Sequence, residues 1–391
     1  MKSTFYTEDH EAYRESVKEF LRREVEPHNE RWEREHAIDP EIWQKAGANG
    51  MLGLAVPEEF GGGGEPDYRY RFVVAEEIAR TNTTSFGVGL GLQDDIVIPY
   101  FLDLATPEQK ERWLPGLASG ALIGAIAMTE PGTGSDLQGI RTTARRVNEG
   151  DGDEWVLDGA KTFISSGIHA DLVIVVAKTD PEAGSRGFSL FVVESGDAGF
   201  SRGRQLEKVG LDAQDTAELV FEGVRLGDDR VLGQPGFAMR YLMERLARER
   251  LSIAAAAVAA SEAAVRWTLE YVFSRTAFGK RIGDFQNTRF VLAELETEND
   301  ITRAYVEKAA LALNAGELTA VEASKAKWWA SELQVKATSK CLQLFGGFGY
   351  MLEYPIARAF RDARIQTIYG GTTEIMKEII GREQAARYTT R

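Results

Sequence analysis

The chain has almost none of the residues that form disulfides or bind metals. Its 391 residues include one cysteine, Cys341, and four histidines, His10, His28, His36 and His169. A single cysteine cannot build an internal disulfide framework, which is typical of a protein in a reducing compartment. The stretch after residue 169 has no histidine, the usual base of a Ser-His or Cys-His nucleophilic mechanism. We therefore expect no metal site, and we expect carboxylates to carry any acid–base chemistry.

Positive charge and long apolar runs are also scarce. The sequence has 46 Lys and Arg against 60 Asp and Glu, a net charge of -14, and a pI near 5.0. Nucleic acids and anionic membrane surfaces bind basic faces, so neither is expected as the main partner. No window approaches an uninterrupted apolar run of about 20 residues, and the first residues lack the apolar core of a signal peptide. We expect no membrane span and a cytoplasmic location.

Two changes of pattern divide the chain into three predicted domains. Residues 1–120 carry amphipathic helical runs, which predict an all-α domain. Residues 121–232 contain the short β-branched and aromatic runs DLVIVVAK, GFSLFVVE and TAELVFEGVRL, which predict a β domain built as a small barrel or sandwich. Residues 233–391 are rich in Ala, Leu and Glu, with no proline between Pro235 and Pro355, which predicts a bundle of long helices.

One acid interrupts the apolar face of a predicted helix in the segment LMERLARERLSIAAAA. The stripe consists of Leu242, Leu246, Glu249, Ile253 and Ala256. These positions recur at steps of four and three residues and so share one helix face, whereas Arg245, Arg248 and Ser252 fall elsewhere. Burial would raise the pKa of Glu249 toward the range of a general base, unless the arginines hold it ionised. From this helix alone, a general base and a structural Glu–Arg pair both remain open.

Five glycine-containing segments could approach a ligand closely. They are AIAMTEPGTGSD (125–136), DGAKTFISSG (158–167), SRTAFGKRIGDFQ (274–286), QLFGGFGY (343–350) and IYGGTTEIM (368–376). Glycine turns present backbone N–H groups without an obstructing side chain, and the basic turn at 274–286 could clamp a pyrophosphate. In the second segment, Phe163 and Ser165 take alternate strand positions, and in the last Thr372 is a predicted N-cap. Taken singly, the segment 125–136 could be an ordinary loop, Phe163 could be a core residue, and the basic turn at 274–286 could be a solvated surface.

Together and in this order, the segments resemble the acyl-CoA dehydrogenase family over essentially the whole chain. MTEPGTGSD matches the family's flavin-binding signature, and FGGFGY with EYPIARAFRDARIQTIYGGT matches its C-terminal signature. The resemblance is strongest to the long-chain members, across GAIAMTEPGTGSDLQGIRT, AQDTAELVFEGVRL, AKWWASELQ and IYGGTTEIMKEII. It implies an α+β fold with an N-terminal α-helical domain, a middle β-barrel domain and a C-terminal four-helix bundle.

The resemblance also implies FAD as the cofactor and assigns residues to it. The first loop would contribute Met128, Thr129, Gly134 and Ser135, and the strand would contribute Phe163 and Ser165, where many members have tryptophan and threonine. The pyrophosphate and adenosine would contact Arg275, Phe278, Gln286, Gln343, Gly346 and Gly347, partly from a neighbouring subunit. Thr372 and Glu374 would complete the site. A site shared between subunits implies at least a dimer, and the family suggests a homotetramer arranged as a dimer of dimers.

The catalytic base is where the sequence departs from many family members. Those members place a glutamate in a C-terminal Tyr-Glu-Gly sequence, which here is Tyr369-Gly370-Gly371. Gly370 has no side chain to accept a proton. In the long-chain and isovaleryl branches the glutamate precedes an arginine on the helix after the β domain, where this chain has Glu249 and Arg250. Two independent arguments therefore lead to Glu249 as the base.

The implied reaction is α,β-dehydrogenation of an acyl-CoA thioester to a trans-2-enoyl-CoA. Glu249 would remove the pro-R α-proton, FAD would accept the β-hydride, and the Gly370 N–H would hold the enolate oxygen. Ser135, Arg250, Gly370 and Gly371 would line the thioester end, and electron-transfer flavoprotein would reoxidise the enzyme. The alternatives are an isovaleryl-type substrate, a thioester of acyl carrier protein, a flavin oxidase or monooxygenase, and a non-enzymatic thioester-binding protein.

Overall fold

The computed structural model describes residues 4–149 and 152–389, and its N-terminal part is helical up to Ser119. The helices are α1 (Glu8–Phe20), α2 (Glu26–Glu35), α3 (Glu41–Ala48), α4 (Tyr68–Thr81), α5 (Thr84–Gly91), α6 (Ile98–Leu104) and α7 (Pro107–Ser119). A π-helical turn, Leu92–Val97, joins α5 to α6. At the start of α7, the Thr106 hydroxyl accepts a hydrogen bond from the Gln109 N–H, which caps the free end of the helix.

Within the described residues, the middle part of the chain forms one seven-stranded sheet. The strands are β1 (Gly124–Ala127), β2 (Thr143–Glu149), β3 (Gly152–Ser165), β4 (Leu172–Lys178), β5 (Phe188–Glu194), β6 (Phe200–Gln205) and β7 (Thr216–Gly227). Their order is β1-β4-β2-β3-β7-β6, with β5 antiparallel to β4. The three β-branched runs singled out in the sequence are β4, β5 and β7, as predicted.

Strand β4 explains why its sequence is apolar without alternation. Leu172, Ile174 and Val176 pack in a cluster that includes Phe101 and Trp113 from the N-terminal helices. The alternate residues Val173, Val175 and Ala177 pack in a second cluster with residues of the other strands. A strand covered on both faces needs apolar residues at every position. The sheet therefore joins the N-terminal helices through one face and builds the middle domain's own core on the other.

The C-terminal part is a helical bundle with a short hairpin. Its helices are α8 (Ala238–Ser274), α9 (Gln286–Asn314), α10 (Ala320–Phe345), α11 (Pro355–Ala363) and α12 (Thr373–Thr389). The hairpin strands β8 (Thr276–Ala277) and β9 (Lys280–Arg281) interrupt the helical pattern between α8 and α9, where the sequence predicts a break. The α–β–α architecture predicted from the sequence is thus confirmed. Among the described residues, no helix is both long and apolar enough to cross a membrane.

Helix α8 is central, which corrects one sequence prediction. It packs against α4, α9, α10 and α11, so most of its circumference is covered. Glu249 on the predicted stripe is indeed buried, but Arg245 is also buried at 9% exposure, although it falls off the stripe. Leu246 and Ile253 are only partly buried. The single apolar stripe was too narrow a description because this helix has neighbours on several sides.

Candidate active site

Glu249 is a buried carboxyl on the central helix α8. Its exposed fraction is 4%, and its Oε1 accepts a hydrogen bond of 3.4 Å from the hydroxyl of Tyr100, on α6. Burial raises the pKa of Glu249 to about 7, against the lowering effects of Tyr100, Arg250 and Arg245. A carboxyl with a pKa near neutrality suits a general base at physiological pH, because both protonation states are accessible.

Two buried cations hold the Gly370–Gly371 pair, which stands where the C-terminal signature of many family members has a glutamate. The Arg250 Nε donates to the Gly370 carbonyl at 3.4 Å, and the Lys327 Nζ donates to the Gly371 carbonyl at 2.7 Å. Arg250 also donates to the Ser324 hydroxyl at 3.3 Å. Burial and, to a smaller extent, the nearby charge of Arg250 together lower the pKa of Lys327 to about 8. With both carbonyl oxygens occupied, the orientation of the two peptide planes is fixed.

A side chain at position 370 would not fit without movement. Gly370 has φ +64°, a left-handed conformation that favours glycine. A Cβ built there would lie 2.4 Å from the Cδ1 of Ile253, one turn after Glu249 on α8. Ile253, on the helix that carries Glu249, therefore occupies the space that a side chain at position 370 would need. The glutamate on α8 and the glycine at 370 are thus structurally linked.

The first glycine-containing loop is anchored to strand β3. The Thr129 carbonyl accepts from the Thr162 N–H at 2.9 Å, and the Met128 carbonyl accepts from the Lys161 Nζ at 3.0 Å. Lys161 also pairs with the buried Glu130 at 2.9 Å. The structure thus brings the first two predicted flavin segments together. It leaves Gly134 and Ser135 exposed, and a Cβ on Gly134 would meet no atom within 4 Å.

Phe163 lies in a β-bulge, which corrects the predicted strand alternation. The pairing of β3 with β7 shifts register between Lys161 and Ile164, and Phe163 has φ +60°. A non-glycine residue in this region is unusual and often marks a functional site. The bulge turns Phe163 outward, to 67% exposure, while Ser165 is only partly exposed. An aromatic ring held out of its own core is available to a planar ligand.

The end of α8, directly before the basic hairpin, meets the end of α10. The guanidinium of Arg275 lies 5.6 Å from the ring centroid of Phe348, and the Tyr271 hydroxyl donates to the Phe345 carbonyl at 3.2 Å. The predicted contact residues Phe278, Gln286, Gln343, Gly346 and Gly347 are all exposed, Phe278 to 96%. Within residues 4–149 and 152–389, no hydrogen bond or ring contact joins this group to the loop that contains Ser135.

The last predicted cofactor residues begin helix α12. Thr372 precedes the helix, and its hydroxyl accepts from the Ile375 N–H at 3.4 Å, as predicted for an N-cap. Glu374 is exposed in the first turn, where hydrogen bonds from its own backbone N–H and from Thr372 lower its pKa.

The contacts of Arg250 and Ile253 with Gly370 bring Glu249, Arg250, Gly370 and Gly371 to one junction, between α8 and the turn before α12.

Sequence reasoning missed Tyr100 and Lys327. Tyr100 is 149 residues from Glu249 in sequence, and no local pattern relates the two. Lys327 carried a signal that could have been used, because it is fully buried on the same face of α10 as Ala323, Ala330 and Gln334. A lysine on a buried helix stripe is the same kind of anomaly as Glu249.

Comparisons with known proteins show the family to which the chain is similar. Models of the acyl-CoA dehydrogenase family match the chain, the N-terminal domain at residues 7–121, the middle domain at 125–224 and the C-terminal domain at 238–385. The mitochondrial long-chain specific acyl-CoA dehydrogenase of Sus scrofa is 49% identical over 97% of this chain and 87% of that protein. The mitochondrial isovaleryl-CoA dehydrogenase of Solanum tuberosum is 36% identical over 97% of this chain and 92% of that protein.

Solved structures give the same result. An acyl-CoA dehydrogenase from Geobacillus kaustophilus has a TM-score of 0.94 and 46% identity, covering 98% of this chain and 100% of that chain. A glutaryl-CoA dehydrogenase from Mycobacterium smegmatis, in complex with FADH2, has a TM-score of 0.89 and 27% identity, covering 98% and 96%. The chain belongs to the acyl-CoA dehydrogenase family. It is a flavoprotein oxidoreductase that acts on the CH–CH group of acyl-CoA thioesters, with FAD as its cofactor.

Proposed function

We propose that the chain dehydrogenates long-chain acyl-CoA thioesters in fatty-acid oxidation, with Glu249 as the base that removes the α-proton. The observation that carries this proposal is the carboxyl of Glu249, buried at 4% exposure beside Arg250 and the Gly370–Gly371 turn. A thioester α-proton is weakly acidic, so its removal needs a base at Cα and a donor at the carbonyl oxygen. Glu249 supplies the base, and the backbone N–H of Gly370 supplies the donor.

The predicted FAD residues have the surface that a flat, anionic cofactor needs. Phe163 is held outward by its bulge, and open space surrounds Gly134 beside the exposed Ser135. We propose that Met128, Thr129, Gly134, Ser135, Phe163 and Ser165 hold one end of FAD, with Thr372 and Glu374 nearby. Arg275, Phe278, Gln286, Gln343, Gly346 and Gly347 hold the pyrophosphate and adenosine. When bound, FAD supplies the acceptor for the hydride from Cβ.

The thioester end of the substrate is proposed to lie along Ser135, Arg250, Gly370 and Gly371. The greater similarity to a long-chain enzyme favours a long chain: the sequence is 49% identical to a long-chain enzyme and 36% identical to an isovaleryl enzyme. The alternatives are a branched-chain substrate and an acyl-carrier-protein thioester, and the rates at which these thioesters bleach the flavin distinguish them.

We further propose a homotetramer, a dimer of dimers, that is reoxidised by electron-transfer flavoprotein. Among the described residues, every large apolar side chain that is exposed lies at or after Phe237, except Phe163 and Val209. Exposed apolar side chains concentrated in one domain are typical of a subunit interface. Cys341 is buried and free, a state suited to a reducing compartment such as the cytoplasm. The domain boundaries 1–120, 121–232 and 233–391 are part of this proposal.

The test is anaerobic reduction of the bound flavin by substrate. The loss of the flavin's visible absorbance measures the reduction. Palmitoyl-CoA is expected to bleach the wild-type protein much faster than isovaleryl-CoA does. Glu249→Gln is expected to keep FAD but to lose about 10³-fold or more of the reduction rate, the order expected for a lost general base. Glu270→Gln, at an exposed position of the same helix, is the matched control. Near-normal reduction by Glu249→Gln would refute the base assignment.

Substrate and acceptor are tested separately. Bleaching by isovaleryl-CoA alone would move the protein to the branched-chain group, and bleaching only by acyl-carrier-protein thioesters would replace CoA as the substrate handle. Stoichiometric hydrogen peroxide in air, without need of electron-transfer flavoprotein, would identify an oxidase.

A further inference from the structure

Tyr100 is a buried phenol that contacts the proposed base. It lies on α6 with no exposed surface, and its hydroxyl is 3.4 Å from the Oε1 of Glu249. A buried hydroxyl needs a hydrogen-bond partner, and this one has a carboxyl oxygen from a helix 149 residues away. The contact therefore links the N-terminal domain directly to the catalytic helix α8.

The ring of Tyr100 is itself held in place. The guanidinium of Arg245, one turn before Glu249 on α8, lies 5.2 Å from the centroid of the Tyr100 ring. Arg245 is buried and forms an ion pair of 3.0 Å with Asp103, which follows Tyr100 on α6. A cation over an aromatic face is attractive, and it is more so when both groups are removed from water. Arg245 and Asp103 thus fix the direction in which the phenol points.

We propose that Tyr100 is a positioning residue for Glu249: its hydroxyl donates to Oε1, so that Oε2 is the oxygen that takes the substrate's α-proton. The inference rests on the proposed role of Glu249 as the base. In the ionised carboxylate, the hydrogen bond places part of the negative charge at Oε1 and restricts rotation of the carboxyl group. The C–H electron pair stays with the substrate, and the proton moves from Cα to Oε2.

The phenol keeps its own proton throughout. Burial raises the pKa of Tyr100 well above its usual value, and the neighbouring Glu249 carboxylate raises it further. After proton transfer, Oε1 is the carbonyl-like oxygen of a carboxylic acid and still accepts from Tyr100. Among the described residues, the charged and titratable groups that face Glu249 are Tyr100 from α6 and Arg245 and Arg250 from α8. Of these, Tyr100 is the one that donates a hydrogen bond to Glu249.

The test is Tyr100→Phe in the FAD-loaded protein, with the rate of flavin reduction by palmitoyl-CoA measured from pH 5 to 9. Loss of a donor to the ionised form raises the pKa of the carboxyl, so the acidic limb of the rate profile should move up by about one pH unit. At pH 7 the rate should fall about fivefold, because the ionised fraction of Glu249 drops from about one half to about one tenth, while the dissociation constant of palmitoyl-CoA stays unchanged. A purely structural role would not move the pH profile.

Two further variants keep the result interpretable. Tyr13→Phe removes the hydroxyl of another tyrosine, on α1, which donates to the Gly50 carbonyl at 2.9 Å, and this variant should leave the profile unchanged. Arg245→Lys keeps the charge but lacks a planar guanidinium over the ring, and should shift the profile in the same direction by less. Profiles of Tyr100→Phe and wild type that superimpose would overturn the positioning role. Failure of the base assignment would be seen differently, as normal reduction by Glu249→Gln.

Discussion

The two sides of the candidate active site are built in opposite ways. On the base side, Glu249, Tyr100, Arg250 and Lys327 are buried and hydrogen-bonded to one another or to the Gly370–Gly371 turn. On the cofactor side, Phe278 is 96% exposed and Phe163 is 67% exposed. The base side is therefore complete within one chain, whereas the cofactor side presents surface that another molecule must cover.

This difference has a physical reason. The pKa of the Glu249 carboxyl is raised toward neutrality by its removal from water, which requires a preformed, packed environment. A large flat cofactor needs an open face to enter, and burial of that face comes with binding and with subunit association. Substitutions on the base side should therefore change chemistry and stability, and substitutions on the cofactor side should change binding.

The largest effect after loss of Glu249 itself is expected from Gly370→Ala. Alanine at φ +64° is strained. Its Cβ would lie 2.4 Å from the Cδ1 of Ile253, so one of the two groups would have to move. Misplacing the turn by a fraction of an ångström to 1 Å should lower the rate of flavin reduction by about 100-fold. The double variant Gly370→Ala with Ile253→Ala should recover part of the loss. Gly381→Ala, where a Cβ meets open space, is the control. An unchanged rate in Gly370→Ala would show that the turn is not confined.

Lys327→Met should have the next largest effect. The variant leaves the partly buried Gly371 carbonyl without its donor, a loss of at most about 1–3 kcal/mol, and frees the turn that places Gly370. We expect a roughly tenfold slower flavin reduction and a lower melting temperature. Lys325→Met, at an exposed position two residues earlier, should be silent in both measurements. If the two lysine variants had the same reduction rate and melting temperature, Lys327 would not be needed to position the Gly370–Gly371 turn.

The base side could be predicted from the sequence only in part. The alternation of helical and β-branched runs predicted the order of the domains, and the stripe on α8 predicted the burial of Glu249, because both patterns depend on residues near one another in the chain. The pairing of Tyr100 with Glu249 and the burial of Arg245 depend on how α6 and α8 pack, and no local period encodes that. The outward turn of Phe163 was missed because strand alternation assumes an unbroken register, and a bulge breaks it.

The ionised base should also make the protein less stable at high pH. Burial raises the pKa of Glu249 to about 7 from an unfolded value of 4.5, so the folded state holds the proton more strongly. Stability then falls as the pH rises from about 4.5 through 7, by an upper limit of about 3 kcal/mol. Glu249→Gln cannot ionise, so at pH 8 it should melt at a higher temperature than wild type, with little difference at pH 5. Calorimetry of the FAD-loaded proteins measures this, and equal melting temperatures at pH 8 would contradict the raised pKa.

The smallest effect on stability is expected on the cofactor side, from Phe278→Ala. Because Phe278 is exposed in the single chain, its truncation should change the free energy of unfolding of the FAD-free subunit by less than about 0.5 kcal/mol. FAD retention and subunit association should nevertheless weaken, since both would cover this ring. Tyr388→Ala, also exposed but at the end of α12, should affect neither. If Phe278→Ala kept full FAD occupancy and the same oligomeric state as wild type, the cofactor side would not extend to the hairpin. Of the two exposed rings, only Phe163 would then remain as part of the open cofactor side.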